Sequence, residues 1–254
     1  MVFLRKFKTK SQQRFQKGLT LVELMVVMGL MSIVIVAITK LMFSFTTKMN
    51  QQNLSMQVRE ELRNTLRGLE KELRNGSGVI ASCSSSRCGG QTYNSGADVL
   101  VIAQPIYNPD ATPKSLNPYG TGGNEMDFDV VVFEKITDNT KIPPVKNLVM
   151  SRFPGTGSAQ VPLNKQVRYR GLSDINTGLH GKAGTSAYER FSYYNSNGNK
   201  ITSALSCPAV PETPSKCPRV VEIQLCGLKT YGAHNLVECK MVDTRFLWQS
   251  YFSL

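Results

Sequence analysis

The spacing of apolar and polar residues divides the chain into three regimes. From Leu19 to Phe45 the sequence reads LTLVELMVVMGLMSIVIVAITKLMFSF, apolar almost throughout, with Glu23 and Lys40 as its charges. About 20 such residues in a helix cross the hydrocarbon core of a bilayer, so this segment is expected to be a membrane anchor. After Asn53 the run gives way to spaced positions, Leu54, Val58, Leu62, Leu66, Leu69 and Leu73. Steps of three and four place these on one side of a helix, a stripe expected to pack on a sheet. Arg59, Glu60, Glu61, Arg63, Arg67, Glu70, Lys71, Glu72 and Arg74 read as a solvated face, with Glu70 and Arg74 in the favourable i,i+4 order. Asn75-Gly76-Ser77-Gly78 offers a C-cap glycine and a flexible exit, which predicts one nearly continuous helix from Leu19 to Asn75.

In the third regime the period shortens. Val99–Ala103, Phe128–Ile136, Leu148–Phe153, Val167–Tyr169, Phe191–Tyr194, Val220–Leu225 and Leu236–Trp248 read as strands, separated by Gly, Pro and Asn clusters. Their order implies mainly antiparallel pairing. Asn108–Asn124 (NPDATPKSLNPYGTGGN) reads as a long surface loop. The expected fold class is therefore α+β, a long N-terminal helix packed on a mostly antiparallel sheet domain.

Charge changes the picture at the N-terminus. The formal charge is +12, and Arg5, Lys6, Lys8, Lys10, Arg14 and Lys17 supply six positive charges ahead of Gly18 with no acid among them. Without that segment the excess halves, which is modest for the length and does not argue for DNA binding. Six basic residues before the anchor, against Lys40 and Lys48 near its end, favour a cytoplasmic N-terminus with the remainder outside. Lys40 itself reads as a snorkelling charge.

The six cysteines, Cys83, Cys88, Cys207, Cys217, Cys226 and Cys239, all follow the anchor and form an even set, as expected of an oxidising compartment. Local pairing, Cys83–Cys88, Cys207–Cys217 and Cys226–Cys239, needs the fewest assumptions, although six cysteines permit 15 connectivities. Their spacings lack the C-x2-C pairs of structural zinc, so no metal is expected there. Glu125, Asp127 and Asp129 could contribute to a calcium site but lack the glycine and terminal glutamate of an EF-hand loop, and solvated strand-edge carboxylates are the simpler reading.

An ordinary secretory signal places its apolar region before a small-x-small cleavage site, whereas here a polar leader ends at Lys17-Gly18 and the apolar run follows. The contiguous residues Lys17, Gly18, Leu19, Thr20, Leu21, Val22, Glu23 and Leu24 resemble the cleavage signal of type IV prepilins and pseudopilins. The resemblance implies cutting after Gly18 by a membrane aspartyl prepilin peptidase and N-methylation of Leu19 by the same enzyme. Leu19 stands where the family most often has phenylalanine. Gly18 suits such a site because a missing side chain lets an extended backbone enter a tight protease cleft.

A carboxylate at the centre of a membrane helix costs on the order of 2.5–3.5 kcal/mol, so Glu23 needs a partner. The resemblance supplies one in the terminal amine of a neighbouring subunit during filament growth. Before assembly the first-turn position is favourable to negative charge. Thr20 fits the family pattern too, but a hydroxyl at a helix start is common for capping alone. Gly29, and the absence of proline before Pro105, depart from subunits whose first helix contains a proline near the end of its apolar segment.

The implied organisation is a cleaved basic leader over 1–18, a transmembrane and assembly helix over 19–45, its amphipathic continuation over 46–76, and an exported β-rich domain over 77–254. The implied place is the bacterial inner membrane, single-pass with a periplasmic domain, and then the pilus or pseudopilus. Phe191-Ser192-Tyr193-Tyr194-Asn195, followed by Asn197-Gly198-Asn199, resembles the aromatic strand and tight turn of larger minor pilins and J-type pseudopilins, though it also describes many β-hairpins. Partners implied are the peptidase and methyltransferase, minor and major pilins, the inner-membrane assembly platform and the lipid bilayer.

No G-x-S-x-G, Gly-rich phosphate loop, H-E-x-x-H or recognisable Cys/His arrangement is present, so neither an enzyme nor a cofactor is expected. The expected function is that of a minor pilin in initiating or capping assembly. A type II secretion pseudopilin shares the same N-terminal logic. An adhesin or DNA-uptake subunit would use the Asn108–Asn124 loop and basic residues such as Lys165, Arg168 and Arg170, and no motif supports that DNA binding.

Overall fold

The structure is a computed structural model and describes residues 20–112, 114, 128–142, 144–155, 162–174, 189–202, 205, 218–231 and 234–245. One helix, α1, runs Leu21–Arg74, so the continuous helix read from the sequence is present, two residues shorter at its start and one at its end. At 1.5 Å per residue it is about 80 Å long. Two compact units divide it, residues 1–50 and 51–254. In the first, the described helix residues are exposed along its whole length.

In the second unit the remaining helix carries the expected stripe. Val58, Leu62, Leu66, Leu69 and Leu73 are buried and Leu54 is half-buried. They meet two sheets. One has the order β1-β4-β5-β6-β7, from β1 (Gly78–Val79), β4 (Val99–Pro105), β5 (Phe128–Asp138), β6 (Val145–Phe153) and β7 (Asn164–Arg170). The other has the order β10-β9-β8, from β8 (Phe191–Tyr194), β9 (Val220–Tyr231) and β10 (His234–Arg245). All pairings are antiparallel. Leu100, Ile102, Val131, Phe133, Leu148 and Met150 from the first sheet and Phe191, Tyr193, Val221, Ile223 and Leu225 from the second join the helix stripe in one core.

The first sheet is covered on its other face as well. A two-stranded hairpin, β2 (Ser82–Cys83) and β3 (Tyr93–Asn94), holds Cys83, Cys88 and Tyr93 against Val101, Val130, Val132 and Phe153. Burial on both faces explains why β4 and β5 read as nearly continuous apolar runs. The short strands β1, β2 and β3 were not expected, since two-residue strands leave no period to read.

Several expectations are corrected. Strands β4 to β7, and β9, extend beyond the predicted limits, because backbone pairing continues past the last apolar side chain. Gly76 is not a left-handed C-cap: it has no positive φ, and an added Cβ would lie 2.5 Å from Ile102 Cγ2, so the glycine admits the close approach of β4. The charged helix residues are not simply a solvated face. Glu72 pairs with Arg152 at 2.9 Å and Arg168 at 3.5 Å and accepts from Gln104 Nε2 at 2.8 Å. Arg59 binds Glu238 through two nitrogens at 3.1 and 3.0 Å, and Lys229 reaches Glu61 at 2.7 Å. These positions flank the apolar stripe and so come within reach of strand side chains once the stripe is seated.

Among the described residues several contacts join the sheets, including the Tyr193 hydroxyl of β8, which donates to the Val99 carbonyl of β4 at 3.0 Å. Leu172 bridges Gly227, with the N–H of Ser173 donating to the Cys226 carbonyl and that of Leu228 to the Gly171 carbonyl, at 2.8 and 2.7 Å. Arg190, 1% exposed, donates to Asp98 and Asp174 and to the Ser173 carbonyl, the last at 3.2 Å. Lys135 lies 2.9 Å from Asp98 and 3.6 Å from Asp174, and Lys146 also pairs with Asp174.

Candidate functional site

Of the residues predicted to be cut and methylated, Lys17, Gly18 and Leu19 lie outside the described residues. The description begins at Thr20, and there the two polar residues of the motif are joined. The Thr20 N–H donates to Glu23 Oε2 at 3.0 Å, the Thr20 hydroxyl lies 3.0 Å from the same oxygen, and the Glu23 N–H donates to Thr20 Oγ1 at 3.3 Å. This is a reciprocal capping box, in which two helix-start N–H groups are satisfied by side chains three residues apart. Glu23 Oε1 takes part in none of the three bonds. The T-x-x-E spacing that specifies the box is present in the sequence, and it gives Thr20 a second task, holding the Glu23 carboxylate at the helix entrance.

Leu21, Val22 and Leu24 follow in the first turn and are 74%, 68% and 49% exposed. Their side chains stand exposed, as do the other described residues of this unit. Its hydroxyls turn inward on the backbone: Ser32 donates to the Gly29 carbonyl at 2.7 Å, and Thr39, Thr46 and Thr47 each donate four residues back at 2.8 Å. Such bonds leave these side chains without unmet polar demands in an apolar medium. By length and composition the helix can cross a membrane.

The comparison with protein families falls on this same segment. The chain carries the prokaryotic N-terminal methylation motif, matched over residues 13–39. That match spans Arg14, Lys17, Gly18 and Leu19, the capping box and much of the apolar run. It supports a type IV pilin-like or pseudopilin precursor, a structural subunit processed by prepilin peptidase, and the apolar helix fits a membrane-anchored pilin. No curated protein and no solved structure matches the chain.

The other candidates divide. Cys83 is bonded to Cys88, inside the lid over the first sheet, and Cys226 to Cys239, which face each other across β9 and β10 with 4.0 Å between Cα atoms. Cys207 and Cys217 lie outside the described residues, as do Glu125 and Asp127. The Asp129 carboxylate accepts the Gly155 N–H at 3.0 Å. Of the Asn108–Asn124 loop, residues 108–112 and 114 are described, and its start is an Asx turn in which Asp110 accepts from the Thr112 N–H at 3.0 Å. Lys165, Arg168 and Arg170 all fall on β7, but they do not form one basic face, because Arg168 is directed to Glu72 and to Met150 Sδ. A β-bulge causes this: Tyr169 pairs with Leu148 and Val167 with Val149, leaving Arg168 as the extra residue. The aromatic segment forms β8, and Asn195 Oδ1 closes the following turn by accepting the N–H groups of Asn197 and Asn199 at 3.0 and 2.9 Å.

Proposed function

We propose that the protein is a minor type IV pilin that takes part in initiating or capping pilus assembly. The observation that carries this reading is the motif from Lys17 to Leu24 at the head of a long apolar helix whose described residues up to Asn50 are exposed. A helix of that kind is stable only in lipid or against other helices, which is the situation of a subunit that waits in the membrane and then enters a filament. Cleavage after Gly18 creates a terminal amine at Leu19, which is then methylated and keeps its charge. Glu23, held by Thr20 until assembly, pairs with the corresponding amine of a neighbour. The leader stays in the cytoplasm and the domain is exported, in keeping with the leader's charge and the disulfides beyond the anchor.

The test is the N-terminus of the protein from cells that contain the peptidase, read by intact mass or N-terminal sequencing. The expected product begins at methylated Leu19, and Gly18→Trp leaves the precursor uncut. Glu23→Ala is expected to be cut normally yet to enter filaments poorly. An intact Met1 terminus in the native protein would overturn the processing claim, and normal incorporation of Glu23→Ala would overturn the role of the carboxylate. Gene loss that stops protein secretion while pili, twitching and DNA uptake persist would move the assignment to a type II secretion pseudopilus.

A further inference from the structure

The outer edge of β7 and the helix face beside it have features that the packing of this chain does not use. Among the described residues β7 ends its sheet and is paired to β6 alone. Its seven residues, Asn164 to Arg170, contain three basic residues and no acid, and Val167 is 46% exposed. Beside it runs a groove with Asn64, Thr65 and Gly68 of α1 on one wall and Val167, Tyr169 and Arg170 on the other.

Two residues describe the walls of the groove. Gly68 sits within a helix, where glycine lowers stability, yet a Cβ built on it would meet nothing within 4 Å. Packing inside this chain therefore does not require the glycine. Tyr169, 4% exposed, lines the same groove, and its hydroxyl has no hydrogen-bond partner among the described residues. Its ring is seated close over Gly227, where a Cβ would lie 1.9 Å from the hydroxyl oxygen.

We propose that an extended acidic segment of a partner protein binds here, added as a strand to the open edge of β7. A strand edge offers alternating N–H and C=O groups that an extended backbone satisfies, and the neighbouring groove takes alternate side chains. The charge selects the occupant. On β7 itself Lys165 and Arg170 are exposed and Arg168 is held by Glu72, while Glu61 in the groove wall is paired with Lys229, so basic charge predominates along the strand. Two copies of β7 laid edge to edge would oppose like charges, which disfavours self-pairing. This proposal is independent of N-terminal processing and concerns the domain alone.

The full chain in lipid nanodiscs would be titrated with a labelled seven-residue peptide of alternating Glu and Val, its Lys–Val counterpart, and a labelled DNA duplex. Anisotropy would report affinity, and hydrogen–deuterium exchange would locate the contact. The expected result is at least tenfold tighter binding of the acidic peptide than of the basic one, with amide protection confined to residues 164–170 and 61–68. Gly68→Leu, which favours the helix and fills the groove, should lose at least tenfold in affinity with its circular dichroism unchanged. The double variant K165E/R170E should reverse the preference between the two peptides. Equal binding of both peptides, no binding of either at millimolar concentration, unchanged affinity in Gly68→Leu, tighter binding of the duplex, or protection only near the basic residues 5–17 would each overturn the proposal.

Discussion

Two leucines with the same side chain occupy opposite environments in α1. Leu62 is fully buried in the core where the helix meets both sheets, whereas Leu30 is 59% exposed on the anchor. Leu62→Ala removes buried methyl groups and leaves a cavity, and is expected to cost the domain about 2–5 kcal/mol, measured by denaturant titration in detergent. Leu30→Ala should leave that stability unchanged, because the residue is exposed and belongs to the other compact unit. Equal losses at both sites would mean that the apolar segment folds onto its own chain. At this scale the sequence was legible wherever period alone decides exposure, as along Leu62, Leu66, Leu69 and Leu73. It was not legible at Glu72, 16% exposed, whose partners Arg152, Arg168 and Gln104 come from strands remote in sequence.

The hairpin of β9 and β10 shows what decides an element's extent. Each strand is 12 residues long, and Cys226 lies opposite Cys239 within the paired region. The alternation of Val220–Leu225 stops at Cys226-Gly227, which is why the first strand seemed shorter in the sequence. Gly227 stays in register with Glu238 and is small because the Tyr169 ring lies over it. The disulfide joins strands already held by backbone pairing, so its removal should cost less than is usual for a small exported domain. The paired variant Cys226→Ser/Cys239→Ser is expected to lose about 1–3 kcal/mol, seen as a lower Tm with an intact sheet spectrum. Loss of folding altogether would show that the bond establishes the register. The lid of β2 and β3 makes the converse point: local pairing of Cys83 with Cys88 was the expectation of fewest assumptions, and nothing in the sequence says that it covers the second face of a sheet.

Across the whole domain the Arg190 node joins the two sheets, and it makes stability depend on acid. Partial burial pushes the Asp174 carboxyl up, but hydrogen bonds from Lys146 and Arg190 and the charges of Arg190 and Lys135 outweigh it and hold the group near about 2. A carboxyl depressed in the folded state contributes stability above its unfolded pKa, about 4, and loses it as pH falls from there to about 2. Asp174→Asn should therefore lower the Tm at neutral pH, with the gap to wild type closing over that acid interval. The Asp174 side chain is 40% exposed, so added salt should shrink the gap. A gap that stays constant from pH 7 to pH 2 would show that the network contributes through packing alone.

By itself the sequence determined the local matters: where the chain is apolar enough for a membrane, which helix side is apolar, and where the chain reads as strand or turn. These follow from composition, period and short spacing, which act over a few residues. Only the tertiary structure decided that the sheet is buried on both faces, that Gly76 and Gly227 are spacers for Ile102 and Tyr169, and that Arg168 is withdrawn from the basic edge of β7 by a bulge. It also decided that Glu72 and Arg190 bind partners tens of residues away. Those outcomes depend on which strand lies beside which, and a pairing between distant segments leaves no periodic trace in either one.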